Sequence, residues 1–380
     1  MRIVFLASTL ASGRSGVGDY IRCLVAELDR LGHPTLALGL ADTEDALEDH
    51  APVVRIDRRR PWPQRLLQAR AAVAGFAPDW VSLQFVPYAW HPRGYAFGLA
   101  DRLAPLFKRR RAHLMFHELW VGLNRGDRLV NRLHGIVQRR AVLALQRGLA
   151  PQVVHTQAPA YIATLAAEGL AARRLPLFGN VPPAPGDRHA TRRQILAEHA
   201  PQLDAGRAVF AGWFGTVHRE WNGPEVVTRL AAATTTEGKQ LVLLSLGRTG
   251  PGGAALLAAL RQAPTAGVTV VEIGETSAAE ASRLLGALDL ALTANPMALV
   301  PKSGTVASCL EHGLPVLVSR DDWRPRGAIL VPPLDEPQVH LSPPGTPIDL
   351  PALFALRRPP ASRLPAVARQ FVSDLTAASA

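Results

Sequence analysis

Cysteine is almost missing from this chain: Cys23 and Cys309 are the only two among 380 residues. Both lie in apolar, helix-like settings, which predicts buried thiols rather than a disulfide or a metal pair. No Cys/His cluster has zinc-ligand spacing, and no Asp-x-Asp metal motif is present. No apolar run reaches the ~20 residues of a membrane span. The opening MRIVFLAST is too short for a signal peptide's apolar core and cleavage site, so a cytoplasmic protein is expected. The GxGxxG dinucleotide fingerprint is missing. The basic residues are not interleaved with aromatics and form no recognition motif, which argues against nucleic acid.

What is present is apolar residue and arginine. Hydrophobic residues make up 48%, enough for complete cores. The length suggests two or three domains. Net charge is +11, with 42 Lys+Arg against 31 Asp+Glu. The excess gathers in Arg58-Arg59-Arg60, Lys108-Arg109-Arg110-Arg111 and Arg139-Arg140. Such clusters suit anionic lipid headgroups or acidic substrates, and as single runs they also suit an ordinary solvated face.

The pattern is one of alternating strands and helices. Arg2–Ala7 reads as a strand. A glycine-bearing loop from Ser12 through Gly13, Arg14, Gly16 and Gly18 to Asp19 follows. A helix is then predicted from about Val17 to Leu31, with Val17, Ile21, Leu24, Val25, Leu28 and Leu31 on one face. Strands are predicted at Thr35–Leu40, Trp80–Phe85, His113–Phe116 and Gln152–Thr156. Helices are predicted at Arg65–Gly75, Tyr95–Phe107, Asn131–Gly148 and Tyr161–Glu168. His117 and Glu118 stand at the C-terminal end of a strand, where open α/β sheets bind ligands. Prolines 182, 183 and 185 break the pattern and mark a domain boundary. Alternation then resumes, with strands at Ala208–Trp213, Gln240–Leu246, Val268–Ile273, Leu288–Thr293 and Pro315–Ser319. A last helix is expected over about Ala366–Ala378.

The stretch Leu299–Ser319 carries the sharpest signal. Lys302-Ser303-Gly304-Thr305 places a cation, two hydroxyls and a glycine where a loop enters a helix. Exposed N–H groups and the positive end of the helix dipole favour an anion such as a phosphate there. An ordinary helix capped by Ser303 or Thr305 fits the same residues.

Several segments, in order, resemble the GT-B glycosyltransferases, specifically the retaining family-4 type. They are SGVGDYIRCLVAEL, FHELW at Phe116–Trp120, HTQAPAYIATL, FGTVHREWNG at Phe214–Gly223, IGETSAAEASRLLGALDLALTANP and KSGTVASCLEHGLPV. The resemblance implies two Rossmann-like doubly wound α/β domains facing an interdomain cleft: an acceptor-side domain over 1–182, a nucleotide-sugar domain over 183–345, and a tail over 346–380 whose helix crosses back. It implies a metal-independent transfer from a nucleotide-sugar donor to a hydroxyl of a carbohydrate, lipid-linked or small-molecule acceptor, with no cofactor. Catalytic roles would fall to His117, Glu118 and Asp19. Donor contacts would fall to Gly16, Gly18, Gly215, His218, Arg219, Lys302, Ser303, Gly304 and Thr305, and the base pocket to backbone around Glu272, Ile273 and Gly274. The basic first half, the acceptor side in that family, would meet anionic lipid at the inner face of a membrane or an anionic acceptor. One departure stands out. Two glutamates flank the helix start in the family, and their places here hold Val300 and Ser308. Glu311 lies deeper and is not a clean substitute. A sugar-nucleotide epimerase of the same fold, or a catalytically silent GT-B binding protein, are the competing readings.

Overall fold

The computed structural model describes every residue except 12, 14, 45, 49–51 and 380, with backbone alone at 46–48. In chain order the first elements are β1 (Ile3–Ala7), α1 (Gly16–Arg30), β2 (Thr35–Asp42), β3 (Ala46–Glu48), β4 (Val53–Asp57), α2 (Trp62–Phe76) and β5 (Trp80–Phe85). Next come α3 (Pro87–Trp90), α4 (Leu99–Phe107), β6 (Arg111–Phe116), α5 (Leu129–Leu149), β7 (Val153–Thr156), α6 (Pro159–Ala167) and β8 (Arg173–Arg174). The second half holds α7 (Arg188–His199), β9 (Ala208–Phe214), α8 (Gly223–Thr236), β10 (Gln240–Leu246), α9 (Gly250–Gln262), β11 (Val268–Gly274), α10 (Ala278–Ala287) and β12 (Leu290–Thr293). A 3-10 segment, Met297–Lys302, leads into α11 (Gly304–Glu311), β13 (Val316–Val318), β14 (Val339–Leu341), α12 (Leu350–Ala355) and α13 (Leu364–Ala377).

The chain divides into two compact units. The first takes residues 1–176, 324–332 and 364–380; the second takes 177–323 and 333–363. The excursion 324–332 had no expectation from sequence. It is pinned to the 123–125 turn: Arg125 N–H donates to Arg324 O at 2.8 Å and Arg326 N–H to Leu123 O at 2.9 Å.

The first unit's sheet runs β3-β4-β2-β1-β5-β6-β7-β8. Every pair is parallel except β3 with β4. Strands such as β1 and β5 are buried on both faces and therefore read as continuous apolar runs. Helix α1 buries Ile21, Leu24, Val25 and Leu28, the face its spacing predicts. Helix α13 covers one sheet face, where Phe371 packs against Phe5 and His113. The second unit's sheet, β11-β10-β9-β12-β13-β14, is wholly parallel. Two apolar layers sandwich it, one around Phe210, Leu244, Leu285 and Val316, the other around Trp213, Val227, Leu243 and Leu292.

Three differences from the sequence reading have physical causes. The segment 95–98 is not helical, because Gly98 adopts φ +67° and α4 starts only after it. Val53–Asp57 is a strand that was not expected; it follows a short polar stretch and pairs with β2. Helix α7 also went unread. It is arginine-rich and buries only Thr191, Ile195 and Leu196, so its apolar stripe is narrow.

Candidate functional site

In each sheet the strand order reverses once, and ligands of open α/β sheets bind outside the strand C-termini at such a point. In the first unit this point lies between β1 and β5. The loop that leaves β1 is anchored by Asp42, which is fully buried. Its carboxylate accepts from Thr9 Oγ1 at 2.8 Å and from the Leu10 amide at 2.8 Å. Ser15 caps α1 by accepting from the Gly18 amide at 3.3 Å. Asp19 accepts from the Gly13 amide at 3.0 Å, so its carboxylate holds the loop together. A Cβ on Gly18 would stand 3.3 Å from Leu10 Cα and Thr9 O, so this glycine lets helix and loop close up. Gly16 has open space around it. Ser12 and Arg14 of the same loop lie outside the described residues.

His117 follows β6 and is buried, with the Tyr20 ring edge-on at 5.0 Å. Its Nε2 meets Gln84 Oε1 at 2.8 Å and its Nδ1 meets Gln157 Nε2 at 2.9 Å. An amide oxygen only accepts and an amide nitrogen only donates, so the ring is the neutral tautomer with Nε2–H. Burial pushes its pKa down to about 3. Both nitrogens are therefore spent on glutamines, and a base role would require one of these bonds to open. Glu118 is the next residue along and is half-buried.

Behind His117 the hydrogen bonds continue in one direction. Gln84 Nε2 donates to Ser82 Oγ at 2.7 Å, and Ser82 reaches His113 Nδ1 at 2.7 Å. His113 Nε2 meets His155 Nδ1 at 3.0 Å, and His155 Nε2 meets Asp374 Oδ2 of α13 at 3.0 Å. Asp374 also accepts from Arg173 at 3.0 Å. A carboxylate only accepts, so each donor in turn is fixed back to Gln157 and all three histidines share one tautomer. Burial holds His113 well below the usual histidine range, and holds His155 below it against the upward pull of Asp374.

In the second unit the reversal lies between β9 and β12. Here Gly215 leaves β9 with φ +82°, and its amide donates to Leu246 O at 2.8 Å. A Cβ on Gly215 would stand 2.7 Å from Thr305 Cγ2, so the loop and the first turn of α11 are in contact only because residue 215 is glycine. Ser303 is the N-cap of α11, accepting from Val306 N–H at 3.4 Å. Its hydroxyl also meets Thr305 Oγ1 at 3.1 Å and receives Asn295 Nδ2 at 3.2 Å. Asn295 Nδ2 is in turn 3.0 Å from Thr293 Oγ1 at the end of β12. Gly304 and Thr305 occupy the first turn, where an α-helix leaves its N–H groups without intrahelical acceptors. Lys302, half-buried, closes the 3-10 segment just before the cap. A small crevice beside this cluster is lined by Phe214, Thr216, Asn295, Thr305 and Cys309.

The structure thus brings Gly215, Ser303, Gly304 and Thr305 together, with Lys302 adjoining. His218 and Arg219 lie exposed on the turn before α8. Glu272, Ile273 and Gly274 stand at the end of edge strand β11, two strands from β9. Glu272 pairs with Arg261, Ile273 packs on the core, and the Gly274 carbonyl accepts from Gly247 N–H at 2.7 Å. Val300 is buried in the core, and Ser308 is buried with Gly179 packed on it; a Cβ on Gly179 would lie 2.7 Å from Ser308 Cα. Glu311 is buried too, and accepts from the Arg363 amide at 2.9 Å, so it serves the fold. Sequence reasoning missed Asp42, Gln84, Gln157, Thr293 and Asn295. Each is a polar residue inside or just after an apolar strand, a signal that marks strand-end sites. Among the described residues no group of three or more His, Cys, Asp or Glu could hold a metal, and no helix is long and apolar enough to cross a membrane.

No family model and no curated protein matches the sequence. Solved structures do resemble the fold. Anabaena Alr3699/HepE in complex with UDP matches with TM-score 0.59 at 16% identity, over 99% of this chain and 100% of that one. The lipopolysaccharide outer core galactosyltransferase WaaB matches at 0.53 and 13%, over 99% of both chains. The UDP-GlcNAc 2-epimerase of Methanocaldococcus jannaschii matches at 0.52 and 10%, over 99% and 100%. The chain therefore has a GT-B-like fold of two Rossmann-like sheets, shared by nucleotide-sugar glycosyltransferases and UDP-GlcNAc epimerases.

Proposed function

We propose that the protein is a glycosyltransferase that moves a sugar from a nucleotide-sugar donor to a hydroxyl of a carbohydrate, lipid-linked or small-molecule acceptor. The observation that carries this reading is the Gly215–Thr305 contact at the sheet reversal of the second unit, with the capped start of α11 and Lys302 beside it. This is a phosphate-shaped setting: two first-turn amides, two hydroxyls and a lysine at the positive end of a helix. Support comes from the HepE likeness, since that structure holds UDP, and a related one holds UDP and glucose.

In this reading the donor diphosphate lies on the amides of Gly304 and Thr305, with Lys302 neutralising the charge that grows as the glycosidic bond breaks. Arg219 and His218 approach from the loop after Gly215, and the base lies along the backbone of 272–274. No resident metal is invoked, because lysine and helix end supply the positive charge. The transfer is taken as retaining. In the first unit this reading assigns the acceptor proton to the Glu118 carboxylate. His117 acts as a neutral, fixed hydrogen-bonding group, Gly16 leaves the loop backbone approachable, and Gly18 lets the loop close on α1. Asp19 keeps that loop in shape.

The same reading takes the acceptor side to anionic membrane. Helix α5 leaves Leu129, Val130, Leu133 and Ile136 exposed on one side, and Arg128, Arg132 and Arg140 stand on the same helix. Polysaccharide or glycoconjugate synthesis at the inner face of a membrane fits that surface. An epimerase is the second reading, favoured by the M. jannaschii likeness.

Incubation with UDP-, GDP- and ADP-sugars decides between them. A transferase releases nucleoside diphosphate faster when an acceptor is added, and the anomer of the product, read by NMR, settles retention. An epimerase changes the donor sugar with no acceptor present. No turnover of any donor would leave only a silent binding protein and end the enzymatic reading.

A further inference from the structure

The second unit carries another concavity, a groove of about 460 Å³. Its lining includes three prolines, Pro183, Pro185 and Pro360, and three arginines, Arg188, Arg283 and Arg357. It lies at the opposite end of the sheet from the α11 site. Asp289, behind the groove, precedes β12, whereas Asn295 follows it, and four strand residues span roughly 13 Å.

Three guanidiniums converge there on the C-terminal end of α10. Arg188 and Arg357 donate to Leu288 O at 3.1 and 2.8 Å, and Arg192 Nε donates to Ala287 O at 2.8 Å. Arg188 and Arg192 both pair with Asp289. Arg283 is held by Glu280. Glu198 also faces Arg283, and Asp187 turns to its own helix and accepts from Ala190 N–H at 3.0 Å. Arg188, Arg192 and Arg357 thus share the one carboxylate of Asp289, and Arg188 Nε is shut off from water with no partner. Burial and the neighbouring Arg188 push the Arg357 pKa down to about 10, as expected for a cation short of counter-charge. Three guanidiniums with one shared carboxylate leave this helix end positively charged, a setting that favours an anion. Ser282 and His312 at the groove floor are spent on each other at 2.9 Å. The volume falls in the range of small-molecule sites.

We propose that this groove is a second ligand site, taking a small phosphate-bearing molecule with its phosphate on Arg188 and Arg357 and its body along the prolines. The proposal does not depend on the donor reading. Titration calorimetry of the full chain with glycerol 3-phosphate and with inorganic phosphate, at physiological salt, tests it. Saturable binding of glycerol 3-phosphate is expected, unaffected by saturating UDP. Arg357→Gln should weaken it at least tenfold, about 1.4 kcal/mol. Pro185→Trp, which fills the exposed wall and leaves the charges alone, should block it even if the arginine variant fails to fold. Absence of saturable binding, displacement by UDP, or wild-type affinity in Pro185→Trp would each overturn the proposal.

Discussion

Replacing Gly215 by alanine probes the contact on which the proposed donor site rests. Two costs arise. The backbone there has φ +82°, and a left-handed conformation costs an L-residue roughly 1–2 kcal/mol. The new methyl would also stand 2.7 Å from Thr305 Cγ2, an overpacking worth about 1–3 kcal/mol. The stiffer unfolded chain returns about 0.4–1 kcal/mol. The net expectation is a loss of about 1–5 kcal/mol in the second unit. Thr305→Ser removes Cγ2 alone and leaves the remaining Thr305 atoms at 3.7 Å or more from the new Cβ. The double variant Gly215→Ala/Thr305→Ser should therefore recover the packing part and keep the backbone part. Urea unfolding followed through Trp213 and Trp221, which pack edge-on in this unit, reads both. Gly215→Ala with wild-type stability, or a double variant no better than the single one, would refute the close approach of loop and helix.

Acid should destabilise the first unit. Burial keeps His117 near 3 and His113 well below its ordinary value when folded, while both take up protons near 6.5 when unfolded. The unfolded chain then binds more protons, so stability falls as pH drops below about 6.5, by up to about 2.7 kcal/mol per pH unit for the pair; denaturation melts at pH 7, 6 and 5 check the slope. Asp374→Ala strips the acceptor from His155 and should cost about 1–3 kcal/mol, whereas Asp374→Asn keeps an acceptor and should cost less; ring ¹⁵N shifts of His113 and His155 should report the lost tautomer order only in the alanine variant. Vesicles of anionic lipid should bind the chain at low salt and release it at high salt, and Leu133→Asp/Ile136→Asp should abolish binding; equal sedimentation of wild type and variant would remove α5 from the account.

The sequence made the sheets legible because parallel strands buried on both faces leave uninterrupted apolar runs, and Ser303 could be read as a cap from its place before α11. The helix signal at Gly16–Arg30 was equally plain from its apolar face. Helix α7 was hidden by its arginines, of which Arg188 and Arg192 turn to the α10 end. The setting of His117 was beyond reach, since its partners Gln84 and Gln157 lie 33 and 40 residues away and join it only through strand register. The same holds for Gly215 and Thr305, brought together by a sheet reversal that no local pattern announces. Val300 and Ser308, where the resemblance implied two glutamates, are buried residues that pack the second unit, which local sequence could show only as an absence.

The most direct test is titration calorimetry of the wild type and of Lys302→Ala with UDP, GDP and ADP. A charged hydrogen bond is worth about 1.5–3 kcal/mol, roughly ten- to hundredfold in affinity. One of the three diphosphates should bind the wild type, and Lys302→Ala should weaken it by that factor. Millimolar nucleotide that fails to bind, or an affinity the lysine does not affect, would contradict it.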